Sequence, residues 1–190
     1  SSFHTLYLYN GKICCHSVNS SMNECQHYSG ISTWPFTDSN SFTCSLSHST
    51  FADNIANVYS CILLCMEGSK HEIKSCNILR NTRSYIDTVG TIFTYGYLTI
   101  EDSYILENKV TRVFHQFSSY TIILSNCTVD LTSNNGYLTM QNTVTKSFIL
   151  ALNHMSTGNC HSKYDSAGYL TPNLQSPSSS KKKKLYMLYV

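Results

Sequence analysis

An eleven-residue pattern of apolar and small residues recurs along the chain and predicts pairs of short strands. In its clearest copy, Leu98, Ile100, Ser103 and Ile105 occupy the marked positions and Asn108 closes the pattern. Residues two apart lie on one face of a strand, and the three-residue steps leave one extra residue for a bend. Each copy therefore predicts two strands joined by a corner, with all marked side chains pointing to one side.

Four further copies keep the same spacing and indicate a repeat protein. Their marked residues are Cys44, Leu46, Ser49, Phe51 and Asn54; His71, Ile73, Cys76, Ile78 and Asn81; Ile122, Leu124, Cys127, Val129 and Thr132; and Leu138, Met140, Thr143, Thr145 and Phe148. The steps of 27, 27, 24 and 16 residues between copies are typical of stacked supersecondary units. Neither a leucine-rich pattern nor the i, i+3, i+4 spacing of helical repeats is present, so we predict a parallel β-helix.

Stacking of successive coils predicts a polar ladder inside this β-helix. Equivalent residues of neighbouring coils would lie about 4.8 Å apart, the ordinary distance between paired strands. Asn54, Asn81 and Asn108 close three successive copies, so their side-chain amides are expected to bond to one another.

The segments between the copies supply a third strand for each coil. Residues 61–65, 91–95 and 113–117 are apolar runs followed by turn residues. Residues 6–9 followed by Asn10 and Gly11 predict a strand and a turn. Residues 18–34 are expected to form a diverged coil, with a loop leading to the first clear copy.

These motifs resemble a known superfamily. The chain is similar to right-handed parallel β-helix, or pectate-lyase-like, proteins, and most of all to a large group of Cys- and Asn-bearing β-helix proteins of protozoan parasites. The Phe51-x-x-Asn54 motif also matches the Phe-x-x-Asn repeat of bacterial polymorphic outer-membrane adhesins, although their Gly-Gly-Ala-Ile motif is missing. The resemblance covers roughly residues 15–160. It implies an all-β, right-handed parallel β-helix solenoid of about five coils with a disordered C-terminal tail.

This fold predicts one β-helix domain over residues 1–160, clearest at 44–148, and a flexible Ser/Pro/Lys-rich tail over 161–190. Six apolar residues at the C-terminus follow a block of four lysines, and a membrane span needs about 20. Membrane association is therefore expected only if the chain continues into a transmembrane segment.

Composition narrows the function classes. Charged residues make up 13% of the chain, and the net charge of +2 includes the four lysines of the tail. This distribution carries no basic nucleic-acid-binding surface, so no nucleic-acid partner is expected. The 14 tyrosines suit strand surfaces, where they pack side by side.

Nine cysteines leave two alternatives open. Cys44, Cys76 and Cys127 occupy inward positions, where they are expected to be small buried residues. Disulfides are the alternative for the others, with Cys25 bonded to Cys14 or Cys15 as the local pairing. An odd count excludes complete internal pairing.

Metal binding is not predicted. Cys14-Cys15-His16, Cys25-Gln-His27 and Cys160-His161 bring soft ligands close in sequence, but they lack the regular Cys-x-x-Cys spacing of structural zinc sites. No cofactor is expected either. Two Asn-x-Ser/Thr sequons, at Asn19 and Asn126, are candidate glycosylation sites if the chain is secreted.

Catalytic groups are also missing from the pattern. Polysaccharide-cleaving relatives of this fold use clustered acids, whereas Asp87, Asp102 and Asp130 fall at different points of their coils. His115 is expected to be a surface histidine. We therefore predict a non-catalytic extracellular or cell-surface module for display and adhesion, which binds a host protein or glycan. The alternative is a degenerate polysaccharide lyase or hydrolase.

Overall fold

The computed structural model describes residues 3–36, 41–84, 89–134 and 136–145. These residues form an all-β parallel solenoid of about four turns. In chain order the strands are β1 (Tyr7–Tyr9), β2 (Ile13–His16), β3 (Asn19–Ser21), β4 (Glu24–Cys25), β5 (Ile31–Trp34), β6 (Phe42–Ser47), β7 (Thr50–Ala52), β8 (Ile55–Ala56), β9 (Ile62–Leu64), β10 (Lys70–Lys74), β11 (Asn77–Leu79), β12 (Thr82–Arg83), β13 (Ile92–Thr94), β14 (Tyr97–Glu101), β15 (Tyr104–Leu106), β16 (Phe114–Gln116), β17 (Thr121–Ser125), β18 (Thr128–Val129), β19 (Tyr137–Gln141) and β20 (Val144–Thr145). The predicted fold class is confirmed, and the predicted tail at 161–190 lies outside the described residues.

Successive coils stack into four parallel sheets. Sheet 1 has the order β1-β5-β9-β13-β16, sheet 2 is β2-β6-β10-β14-β17-β19, sheet 3 is β3-β7-β11-β15-β18-β20, and sheet 4 is β4-β8-β12. The described chain contains no helix that is long and apolar enough to span a membrane.

The repeated pattern corresponds to the strand pairs of sheets 2 and 3. Ile73 pairs with Ile100, and Ile78 pairs with Ile105. The inward residues Ile73, Ile78, Ile100, Ile105, Leu124 and Val129 are all fully buried, which confirms the predicted core. The side chains of Lys74, Glu101 and Ser125 lie on the outward face of the same strands, where exposed positions are expected. They are half-buried, because side chains of one column lie against each other, as in the 2.9 Å Lys74–Glu101 salt bridge.

The extra residue at each bend adopts a left-handed backbone conformation. Between sheets 2 and 3 these residues include Asp102 (φ 50°) and Asn126 (φ 51°), and between sheets 3 and 4 they include Asp53 (φ 56°) and Arg80 (φ 51°). Such angles are uncommon for residues other than glycine. The corner N–H groups still pair with the next coil, as Asp102 N donates to Ser125 O at 3.1 Å, and this pairing offsets the cost.

Coil length explains the unequal repeat steps. A 27-residue coil passes through all four sheets, so it contains one short strand more than the three predicted. The 24-residue step has no strand in sheet 4, and within the described residues the 16-residue step has none in sheets 1 or 4. In the 16-residue step, Ser133 O accepts hydrogen bonds from Val113 N and Phe114 N, beside β16 of sheet 1. The prediction of about five coils is therefore corrected to about four turns.

The fifth copy of the pattern is in register but not buried. Leu138 pairs with Ile122 and Met140 with Leu124, yet Met140 is 50% exposed. Thr143 is half-buried and Thr145 is exposed, because no described strand stacks beyond β19 and β20. Phe148 lies outside the described residues.

Asn54, Asn81 and Asn108 form a continuous buried ladder. Asn54 Nδ2 donates to Asn81 Oδ1, and Asn81 Nδ2 donates to Asn108 Oδ1, both at 3.0 Å. Each Oδ1 also accepts a backbone N–H of the previous rung, at 3.0–3.1 Å. Asn23 adds a fourth rung, with its Nδ2 3.0 Å from Asn54 Oδ1. The ladder pairs polar groups inside the solenoid that would otherwise be costly to bury.

The described cysteines are free thiols, so the alternative of a bridge from Cys25 to Cys14 or Cys15 is not formed. Cys25 lies in β4 of sheet 4, whereas Cys14 and Cys15 lie in β2 of sheet 2. The inward cysteines Cys44, Cys76 and Cys127 are buried in the core, as predicted. Cys160 lies outside the described residues.

His71 occupies an inward position of β10 and is fully buried. It stacks between Cys44 and Leu98, and neither ring nitrogen has a hydrogen-bond partner among the described residues. Burial lowers its pKa from 6.5 to about 4, so the imidazole is neutral in the folded protein at pH 7.

We expect Ile100→Ala to lower the free energy of unfolding by about 2–5 kcal/mol, because it leaves a cavity in a stacked interior. Thr99→Ala, on the outward face of the same strand, is the matched control and should change stability by about 0.5 kcal/mol or less. Urea denaturation of the three proteins measures both effects. Equal effects of the two substitutions would contradict the assignment of inward and outward faces.

Asn81→Ala should destabilise by roughly 3 kcal/mol or more, since it leaves the buried N–H and Nδ2 groups of Asn54 without their acceptor. Asn57→Ala is the control. Among the contacts described, the Asn57 side chain only accepts an exposed hydrogen bond from the Ser84 hydroxyl. Denaturant midpoints compare the two. A loss at Asn81 no greater than at Asn57 would show that the ladder does not hold the coils together.

Stability should fall as the pH falls from 6.5 towards about 4, because the unfolded chain takes up a proton on His71 that the folded chain refuses. The full decrease in the free energy of unfolding is roughly 3 kcal/mol. His71→Leu should remove this part of the pH dependence, while His16→Gln, at an exposed position, should keep it. Urea midpoints between pH 4 and 7.5 measure the difference, and parallel curves for wild type and His71→Leu would refute the assignment.

Candidate binding groove on sheet 1

The outer face of sheet 1 is rich in aromatic and apolar side chains. Two adjacent columns of outward residues run along the stack; we call them together the aromatic face. The first holds Tyr7, Ser32, Leu63, Phe93 and His115, and the second holds Tyr9, Trp34, Cys65, Tyr95 and Phe117. Trp34 and Phe117 are each 45% exposed, and Tyr9 is 68% exposed.

The local sequence explains why this sheet is apolar on both sides. In β9, Ile62 and Leu64 point into the solenoid core. Leu63 points outward and packs with Cys65 and Phe93 in a separate cluster. A run of apolar residues without alternation is typical of a strand that is covered on both faces. Here aromatic side chains, including Tyr28 and Tyr95, provide the outer cover.

Ring contacts connect the aromatic face from coil to coil. Tyr95 stacks on Phe117 with ring centroids 4.8 Å apart, and Phe93 meets His115 edge to face at 4.6 Å. His115 is thus half-buried on an aromatic neighbour, instead of being freely solvated as a surface histidine would be. Such ring pairs add to stability beyond their buried area.

The N-terminal segment forms one boundary of a groove on this face. Thr5 N donates to Tyr28 O, and Tyr28 N donates to Phe3 O, both at 3.1 Å. These bonds hold the His4 ring 5.0 Å from the Tyr28 ring and 4.8 Å from Tyr7. A turn after β9, with Met66 at φ 82°, brings Glu67 to the same region.

The groove has a volume of about 620 Å³, within the range of small-molecule binding sites. Its aromatic lining consists of Tyr7, Tyr28, Trp34 and Tyr95, and the remaining lining residues are His4, Ser32, Leu63, Cys65, Met66 and Glu67.

Among the described residues, Glu67 is the only Asp, Glu, Lys or Arg that lines the groove. Burial raises the pKa of Cys65 to about 12, so the thiol is protonated at pH 7. Burial likewise raises the pKa of the Tyr28 hydroxyl. It lowers the pKa of His4, and nearby His27 lowers it further. Protonated phenols, a neutral imidazole and one carboxylate therefore define the electrostatics of the groove.

Two polar atoms of the lining lack protein partners. Ser32 is fully buried, and its Oγ has no hydrogen-bond partner among the described residues. The buried Nδ1 of His4 likewise has none. Buried polar groups are almost always paired, so these two atoms are unsatisfied within the described part of the chain.

The residues predicted from sequence lie elsewhere. The ladder residues Asn54, Asn81 and Asn108 are buried inside the solenoid. The sequon residues Asn19 and Asn126 are exposed, and Asn126 Nδ2 donates to Asp102 Oδ1 at 2.6 Å.

The acidic and metal-ligand candidates are dispersed. Asp102 is at a corner between sheets 2 and 3, whereas Asp130 follows β18 and accepts a bond from Glu107 N at the next corner. Asp87 lies outside the described residues, as do Cys160 and His161. In the described part of the chain, no three His, Cys, Asp or Glu residues are grouped to hold a metal ion.

Sequence reasoning identified the strands of sheet 1 but missed the groove. Two sequence segments did indicate that the outer face of sheet 1 is covered. In Ile62-Leu63-Leu64 and Ile92-Phe93-Thr94, apolar residues occupy both faces of the strand. The N-terminal boundary had no comparable signal, because the pairing of His4 with Tyr28 joins distant parts of the sequence.

Comparison with known proteins yields no relative: no family model, no curated protein and no solved structure matches this chain.

Proposed function

We propose that this chain is a non-catalytic extracellular β-helix module for surface display and adhesion, and that it binds a protein or glycan partner through the aromatic face. The observation that carries the proposal is the partial exposure of Tyr9, Trp34 and Phe117 along one sheet. Exposed groups of large aromatic residues are enriched where proteins bind partners. The proposal includes kinship with right-handed parallel β-helix proteins of the Cys- and Asn-bearing parasite type.

The stacked coils favour binding over a broad surface. Backbone pairing holds the side chains of the aromatic face at strand spacing, because β5, β9 and β13 pair on both sides and the edge strands β1 and β16 pair on one side. Little conformational freedom is then lost when a partner binds. Exposure of Asn19 and Asn126 is compatible with glycosylation in the secretory pathway, which agrees with an extracellular location.

Purified protein should bind host cells or a glycan array, and Trp34→Ala combined with Phe117→Ala should weaken that binding at least tenfold by removing two exposed rings. Phe42→Ala combined with Tyr137→Ala is the matched control, because both rings are exposed on strands of sheet 2. Binding that both double variants reduce equally would contradict a role for the aromatic face.

The same protein should show no lyase or hydrolase turnover on acidic polysaccharides, with or without calcium. Those reactions need several carboxylates or a base held together over the sugar, and Asp102 and Asp130 lie at different corners. Turnover that is lost in Asp102→Asn or Asp130→Asn would favour the degenerate-enzyme alternative.

A further inference from the structure

We propose that the groove lined by Tyr7, Tyr28, Trp34 and Tyr95 is a binding site for a neutral saccharide. This inference rests on the proposed adhesive function and specifies its ligand class. It depends on three properties of the groove: aromatic walls, unpaired buried polar atoms, and the sign of its charge.

The walls match the apolar faces of a sugar ring. A pyranose presents C–H groups on its two faces and hydroxyls around its rim. The negative faces of Tyr and Trp rings attract C–H groups, which carry partial positive charge. With Trp34 45% exposed and Tyr7 46% exposed, both rings have surface free for such contact.

Ser32 supplies the second property. Its Oγ is buried beside these rings without a partner in the described chain. A hydroxyl can donate one hydrogen bond and accept two, so it complements a sugar hydroxyl. The Nδ1 atom of His4 offers a second position, as a donor or an acceptor depending on the tautomer.

Charge selects among saccharides. Glu67 lines the groove together with protonated tyrosines, and no Lys or Arg of the described ranges lines it. A carboxylate accepts hydrogen bonds from sugar hydroxyls but repels uronate or sulfate groups. The ligand is therefore neutral rather than acidic.

An organic cation is the competing ligand, because an aromatic cage with a carboxylate also attracts quaternary ammonium groups. A tetramethylammonium ion has no hydroxyl or N–H group for Ser32 Oγ or His4 Nδ1. Both atoms would remain buried and unpaired beside such a ligand, at an energetic cost. The polar lining thus favours the saccharide.

Trp34 makes the test direct, because it is the only tryptophan in the chain and lines the groove. Its fluorescence should change on titration with neutral oligosaccharides such as cello-, chito- or manno-oligosaccharides. Oligogalacturonate, a sulfated oligosaccharide and tetramethylammonium should each bind at least tenfold more weakly than the best neutral ligand.

Ser32→Ala should weaken the binding of the neutral ligand about tenfold, the usual effect of losing one buried hydrogen bond. Ser125→Ala, at an outward position of β17 on sheet 2, is the matched control and should bind like wild type. Glu67→Gln should keep the dissociation constant of the neutral ligand within a few fold of the wild-type value. It should also reduce the difference in affinity between the neutral ligand and oligogalacturonate. Circular dichroism and urea midpoints establish that each variant is folded.

The outcomes separate this inference from the adhesive function. Cell or array binding without a change in Trp34 fluorescence, or with Ser32→Ala unaffected, overturns the saccharide site and leaves adhesion standing. Tighter binding of tetramethylammonium or of oligogalacturonate than of every neutral oligosaccharide also overturns the inference. Absence of binding to cells, array and oligosaccharides overturns both.

Discussion

Backbone pairing between successive coils is the constraint on which the rest of this structure depends. The strands of one coil can pair with those of the next only if the bends between strands lie directly beside each other in the two coils. Left-handed residues such as Asp102 and Asn126 place the bends at equivalent positions, and the asparagine ladder pairs one coil interior with the next. Coils can therefore lose whole strands, as in the 16-residue step, without losing register in sheets 2 and 3.

The same pairing fixes the outer surface. Because residues of one column repeat at strand spacing, a large side chain in one coil must pack against the side chain above it. In sheet 2 the outward columns hold polar pairs such as Lys74 and Glu101. In sheet 1 they hold rings such as Tyr95 and Phe117, which makes much of this face aromatic. A surface held in this way by a packed core is preorganised for binding.

Spacing rules were sufficient to predict sheets 2 and 3 and the direction of their core residues. They did not identify sheet 4, because strands of two residues such as Ile55–Ala56 carry too little alternation to be recognised. The fourth ladder rung was missed for a different reason. Ile13, Cys15, Val18, Ser20 and Asn23 share the spacing of the repeat, but Cys15 and Ser20 stand where the next copy has the larger apolar residues Leu46 and Phe51. The groove depends on contacts between His4 and Tyr28 that no periodicity encodes.

Some buried polar side chains are hydrogen-bonded by the equivalent residue of the next coil, and others are not. Asn81 recurs at the same position in neighbouring coils, so each copy satisfies the next. His71 has no polar equivalent beside it, since Cys44 and Leu98 flank it, and burial keeps it neutral. Ser32 is likewise flanked in its column by Tyr7 and Leu63, but it lines an open groove. A repeat cannot satisfy a polar group that occurs in only one coil, so such a group on an accessible face indicates where a ligand can supply the partner.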